Sequence, residues 1–315
     1  MGTLTTAVLP QWMRKRLDGR LPDYLDVKWW RDEDELVELA PLAEIGWFDL
    51  HVKAPALEAI ARAEKLRWLS SAYAGVDWMP LEELHDRGVV LSCGAGLVAN
   101  QGAEFAVMSM LTVARGYREI VRAQDRHDWL PKPPAMRELA GSRAMILGYG
   151  AIGQAITRIL GGFGVDCIPV RSRPGDGVLG PDEWRSQLPT ADWVIVSLPS
   201  TPDTAGMFGA DALAAMKSDA WLVNYGRAEV VDQDALLDTL EREAIGGAIL
   251  DLTMPEPLPP DHRLWDLDNA HVTMHLSGYP SHASRARSAE RFLDNCERFR
   301  NGKPLEGQVD LLRGY

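Results

Sequence analysis

The sequence predicts an α/β protein of two parallel-sheet domains, with the second inserted into the first. Three observations lead there. Six apolar runs from position 144 onward alternate with helix-like stretches, the texture of strands buried on both faces between crossover helices. The first of these runs opens into a glycine-rich turn, Gly148-Tyr-Gly150-Ala-Ile-Gly153. The first hundred residues repeat the α/β texture more loosely, and a long helix-like stretch closes the chain, so both ends can build one outer domain.

In chain order, the outer domain offers strands at 45–52, 66–73 and 89–93, followed by one long helix at 101–123 with Phe105, Met108, Leu111 and Val113 among small residues. The inserted domain then reads as strands at 144–150, 165–170, 192–199, 220–226, 246–252 and 270–275, with helices at 151–162, 208–217 and 232–243. The last helix, 283–301, stops at Asn301-Gly302. Helices 101–123 and 283–301 would lie near the crossings. Both sheets are expected to be Rossmann-like.

Composition narrows the function classes. The chain has 315 residues, long enough for two cores. A formal net charge of −12 argues against nucleic acid as a partner of the overall field. Three distant cysteines, Cys93, Cys167 and Cys296, form neither a CxxC pair nor a disulfide framework, which favours a reducing, cytoplasmic setting. The N-terminus lacks the long apolar core of a signal peptide, and no apolar run reaches membrane-spanning length.

The glycine turn is weak evidence alone and stronger in context. A strand precedes it and a helix follows. Gly148 would make the tight turn, Gly150 would let backbone approach a pyrophosphate, and Gly153 would pack helix on strand, with Ala151 and Ile152 opening the helix toward the phosphates. The next strand ends at Val170. There an NAD enzyme needs an acid for the ribose hydroxyls; this chain has Arg171-Ser172-Arg173, and Asp166 comes too early. Two guanidiniums and a hydroxyl suit a 2′-phosphate. NADP(H) is the expected cofactor, with NAD(H) as the alternative if the loop is only solvated surface.

Hydride chemistry on a 2-oxo acid demands a group to hold the carboxylate, one to polarise the keto oxygen and an acid for the nascent alkoxide. Arginine and a histidine kept charged by a buried carboxylate meet the last two demands. Arg227, Glu256 and His275 stand just past the carboxyl ends of successive strands, where such sheets bind ligands. An ion pair or a core histidine would explain the same residues without catalysis. His271 and His275 form HxxxH, but on a strand they lie ~13 Å apart, so no metal site is expected. Tyr24 and Lys28 imitate another dehydrogenase pair but precede the glycine turn, the wrong order.

The motifs Leu198-Pro-Ser-Thr-Pro-Asp-Thr204, Asn224-Tyr-Gly-Arg227, Gly247-Ala-Ile-Leu-Asp251, Pro255-Glu-Pro-Leu-Pro259 and the tail Asn301-Gly-Lys-Pro-Leu305 make the chain resemble the D-isomer-specific 2-hydroxyacid dehydrogenases over nearly its whole length. The cofactor loop resembles that of the NADPH-dependent glyoxylate/hydroxypyruvate reductase branch. The resemblance implies that Arg227 binds and polarises the substrate, that His275 is the general acid/base and that Glu256 pairs with it. It further implies cofactor contacts from Leu198, Pro199, Thr204, Tyr225, Gly226, Asp251 (to the nicotinamide carboxamide), His275, Ser277 and Gly278. Ser71-Ala-Tyr73-Ala74-Gly75-Val-Asp77 resembles the substrate loop, with Ala74 and Gly75 backbone on the carboxylate and Tyr73 bordering the pocket. On this reading 1–100 with 282–315 is the substrate-binding domain, 101–281 the dinucleotide-binding domain, and the protein a homodimer. Thr273-Met274-His275 and Arg227-Ala228 depart from the family's Thr-Pro-His and Arg-Gly, leaving the substrate open. A reductase of larger aryl or branched 2-oxo acids, or a non-catalytic NADP(H) sensor of the same fold, are the alternatives.

Overall fold

The computed structural model describes residues 4–314. The chain forms two compact units. One runs up to Val98 and resumes at Pro280; the other is Ala99–Tyr279.

The first unit begins β1 (Thr5–Pro10), α1 (Arg14–Leu17), β2 (Leu25–Trp30), α2 (Glu33–Leu39), β3 (Ile45–Trp47), α3 (Lys53–Arg62), β4 (Trp68–Ser70), α4 (Leu81–Asp86) and β5 (Val90–Ser92). Its five strands are parallel in the order β2-β1-β3-β4-β5, the shorter of the two common doubly wound arrangements. Sequence reading missed β1 and β2. β2 is an edge strand whose side chains are mostly half-covered, so it shows no apolar run. The expected strands at 45–52, 66–73 and 89–93 are shorter in the structure, because the apolar runs continue into the loops.

The second unit follows as α5 (Ala99–Ala114), α6 (Tyr117–Asp125), β6 (Arg143–Leu147), α7 (Ala151–Gly162), β7 (Asp166–Val170), β8 (Trp193–Val196), α8 (Ala210–Ala214), β9 (Trp221–Asn224), α9 (Gln233–Glu241), β10 (Gly247–Leu250) and β11 (Ala270–Val272). All six strands are parallel, in the order β11-β10-β9-β8-β6-β7. Every residue of β8 and β10 is buried, which is why these strands were legible as unbroken apolar runs. A single parallel bridge from Val170 to Leu179 stands beside edge strand β7, where a further strand would lie.

Two expectations are corrected. The helix expected over 101–123 is two helices, broken where Gly116 takes φ +61°; a Cβ there would meet Pro134 at 2.8 Å. The strand expected over 270–275 ends at Val272, because Met274 and His275 adopt φ +56° and +54°, outside any strand geometry. His275 therefore shares no strand with His271, and the strand-spacing argument about that pair does not apply.

The chain returns to the first unit as α10 (His282–Arg300), capped by Ser281, whose hydroxyl accepts from Ser284 N. Phe292 of α10 packs on Trp47 and Trp68, with ring centroids 5.2 and 5.0 Å away, so much of the tryptophan content serves packing. Among the described residues, no helix is long and apolar enough to cross a membrane.

Candidate active site

In the second unit, β6 lies between β7 and β8, where the winding direction of the sheet reverses. The glycine turn leaves its carboxyl end. Gly148 has φ +99°, and a Cβ on it would sit 2.7 Å from Ser197 O; one on Gly153 would sit 2.2 Å from Gly148 O. The fold itself requires both glycines. Gly150 meets nothing within 4 Å, leaving open space before Ala151 and Ile152 at the start of α7. Room beside exposed backbone at a helix N-terminus is what a pyrophosphate needs, so the residues present fit a dinucleotide. Arg171, Ser172 and Arg173 follow β7 directly, and all are exposed. Asp166 starts that strand and pairs with Arg143 at 3.0 Å, at the end away from the loop.

The remaining expected cofactor contacts divide. Leu198 and Pro199 follow β8, and a Cβ on Gly226 would lie 2.6 Å from Leu198 O, so glycine lets these two strand ends pass. Gly278 is open, with nothing within 4 Å of its Cβ position. Thr204 has its hydroxyl committed to bracing its own loop: it accepts from Thr201 N at 2.9 Å and donates to Pro199 O at 2.7 Å. Tyr225 turns into the core, 5% exposed, with its hydroxyl 3.0 Å from Ser109 Oγ; burial pushes its phenol up to about 12. A ligand there would meet its backbone. Asp251 is 1% exposed and accepts from Thr273 Oγ1 at 2.7 Å and from the Ser277 hydroxyl. A carboxylate has about four acceptor positions, so capacity remains for an amide.

Arg227, Glu256 and His275 follow three adjacent strands, β9, β10 and β11. Buried Asn224 fixes the turn before Arg227: its Nδ2 donates to Arg227 O at 3.1 Å and its Oδ1 accepts from Gly226 N at 3.0 Å. Gln233 pins the segment leading to Glu256, accepting from Met254 N at 2.8 Å and donating to Met254 O. The His275 amide donates to Asp251 O at 2.6 Å. His275 Nδ1 lies 2.6 Å from Glu256 Oε1, and the two side chains are 46% and 44% exposed. The carboxylate expected to be buried is thus half-exposed. Sequence reading missed Gln233 and Ser109 and gave Asn224 and Thr273 no role; only Asn224 and Thr273, each inside a quoted motif, carried a signal.

In the first unit, Tyr73, Ala74 and Gly75 follow β4. Buried Asp49 supports this loop, accepting from Ala72 N at 2.6 Å, Ser71 Oγ at 2.7 Å and Trp47 Nε1 at 2.8 Å. Burial raises its carboxyl, and these donors oppose the shift. Gly94 backs the loop: a Cβ would sit 1.9 Å from Ala72 O, and Gly94 N donates to Tyr73 O at 2.7 Å.

Residues 107–277, more than half the chain, match the family model for the NAD-binding domain of D-isomer specific 2-hydroxyacid dehydrogenases. The chain belongs to that family. As a D-2-hydroxyacid dehydrogenase it is an oxidoreductase with a nicotinamide-dinucleotide domain. It is 33% identical over 225 residues to the mouse glyoxylate reductase/hydroxypyruvate reductase, covering 69% of each chain. A family member from Aeromonas salmonicida superposes with a TM-score of 0.87 at 29% identity, covering 98% of this chain and all of that one. Another from Xanthobacter autotrophicus, solved with NADPH and MES, gives 0.79 at 27% identity with both chains fully covered.

Proposed function

We propose that this D-2-hydroxyacid dehydrogenase reduces a small 2-oxo acid of the glyoxylate or hydroxypyruvate kind, with NADPH as its preferred cofactor. The 2.6 Å contact between His275 Nδ1 and Glu256 Oε1 carries the reading. It fixes the imidazole and leaves Nε2 as the nitrogen that gives the keto oxygen its proton. Arg227 polarises that oxygen, and the Tyr73–Gly75 loop supplies backbone N–H groups to the substrate carboxylate.

The cofactor, when bound, supplies the hydride. Gly148, Gly150, Ala151, Ile152 and Gly153 would hold its pyrophosphate, Arg171 to Arg173 its 2′-phosphate and Asp251 its carboxamide. The exposed basic loop, and the NADPH found in the Xanthobacter relative, support the cofactor preference. Three free cysteines support a reducing compartment, the cytoplasm. A homodimer is supported by α6, which exposes Tyr117, Ile120 and Val121 at i, i+3 and i+4, and by exposed Trp129 and Met136 beyond it.

Initial rates of NADPH and NADH oxidation with glyoxylate, hydroxypyruvate, pyruvate and phenylpyruvate test the reading. The highest kcat/KM should fall on glyoxylate or hydroxypyruvate with NADPH. A preference for phenylpyruvate would move the substrate to larger 2-oxo acids. NADPH binding without turnover would mark a sensor.

A further inference from the structure

Lys53 occupies a position where local physics disfavours it. It is the first residue of α3, and Val52 before it offers no side-chain cap. A cation at a helix N-terminus faces the positive end of the helix dipole. Its ammonium nevertheless folds back onto the loop after β4, 4.1 Å from the centroid of the Tyr73 ring and 4.4 Å from that of Trp78. Each is within cation–π range. Tyr73 is further tethered through its hydroxyl, which donates to Leu50 O at 3.3 Å, and its backbone N–H donates to Ser71 Oγ at 3.1 Å. Burial lowers the Lys53 ammonium, and the negative charges of Asp49 and Asp77 oppose that shift.

The segment 71–78 is therefore gripped on two sides. Asp49 holds Ser71 and Ala72 from beneath, and Lys53 joins the rings of Tyr73 and Trp78. Between these anchors lie Ala74, which is exposed, and Gly75. We propose that Lys53 is a positioning residue for substrate binding: by clamping Tyr73 to Trp78 it holds the backbone of Ala74 and Gly75 in the shape that receives a carboxylate. The proposal rests on the reading of this loop given under Proposed function. On this reading Lys53 acts through the Tyr73 and Trp78 rings rather than by contacting substrate or cofactor itself.

The test compares Lys53→Met, which keeps the stem and removes the charge, with Lys53→Arg, which restores a cation able to stack on both rings. Hydrogen exchange across residues 71–78 reads the clamp directly. Steady-state kinetics with glyoxylate read its consequence. Lys53→Met should accelerate exchange in 71–78 and raise KM for glyoxylate about 10-fold, with kcat changed less than about 3-fold and KM for NADPH unchanged. Lys53→Arg should recover most of both effects. Trp78→Leu, which removes one ring, should loosen the same segment and serves if Lys53→Met does not fold. Unchanged exchange in 71–78 overturns the clamp. Faster exchange with an unchanged KM overturns its link to substrate. Faster exchange in a protein whose wild type reduces no 2-oxo acid upholds the clamp and overturns the functional reading instead.

Discussion

His275 Nδ1 lies 2.6 Å from Glu256 Oε1 across the ends of two neighbouring strands, and His275 reaches that position with φ +54°. On the proposed role, this contact leaves Nε2 as the ring nitrogen that faces substrate. His275→Ala should lose about 10²- to 10⁴-fold in kcat at every pH, the usual worth of a positioned acid. Glu256→Gln keeps the hydrogen bond and removes the charge, so it should fall between this variant and wild type. Arg227→Ala should cripple turnover while NADPH binding, read by fluorescence titration, survives. A Glu256→Gln enzyme with wild-type kcat/KM would remove the carboxylate from the mechanism.

The three glycines of the turn should separate fold from ligand. Gly153→Ala drives a Cβ against the Gly148 carbonyl and Gly148→Ala against Ser197, neither of which can swing away. Each should cost about 1–3 kcal/mol of stability. Gly150→Ala meets no protein atom within 4 Å, so its denaturation midpoint should match wild type while NADPH affinity drops. A Gly150→Ala protein that binds NADPH normally would place the pyrophosphate elsewhere.

Arg171 and Arg173 are solvent-exposed, so each contact to a 2′-phosphate should lie at or below the lower end of ~1.5–3 kcal/mol, and salt should weaken it. Arg171→Asp should erode or invert the NADPH preference, mainly through KM, with NADH turnover retained. Wild-type preference for NADH at ordinary ionic strength would make this loop solvated surface.

His271 predicts an acid limb of stability. Burial, with Arg118 and Arg122 nearby, lowers it to about 4, and its ring packs edge-on to Trp221 at 5.6 Å. The unfolded chain binds this proton near 6.5, so between those values it holds more protons than the native state. The contribution is complete above about pH 6.5 and is lost as pH falls toward 4. Allowing for solvent screening, it amounts to about 1–3 kcal/mol. Urea midpoints from pH 4.5 to 7 should fall less steeply in His271→Phe than in wild type. Parallel slopes would mean that His271 titrates normally.

Burial explains legibility for the central strands of the second unit but not everywhere: β1 is central with four buried residues and was missed, whereas edge strand β7, mostly half-covered, was read. Strands β6, β8, β9 and β10 lie inside a parallel sheet and read as apolar runs, and the residues just past their ends could be named from the runs alone. Edge strand β2 left no pattern, and β11 was overrun because nothing in Thr273-Met274-His275 announces a left-handed turn. The candidate reacting side chains could be named because the proposed chemistry restricts their types. Their supports could not: Gln233 reaches Met254 across 21 positions, and Lys53 reaches Tyr73 and Trp78 from another element. Thr204 and Tyr225 show the opposite limit, since a motif names a residue without saying which way its side chain turns.

The most direct test is the product formed from hydroxypyruvate and NADPH by the wild-type protein, resolved by chiral chromatography. The account predicts stoichiometric D-glycerate, formed faster with NADPH than with NADH. L-glycerate, or no NADPH oxidation with either hydroxypyruvate or glyoxylate, would contradict it.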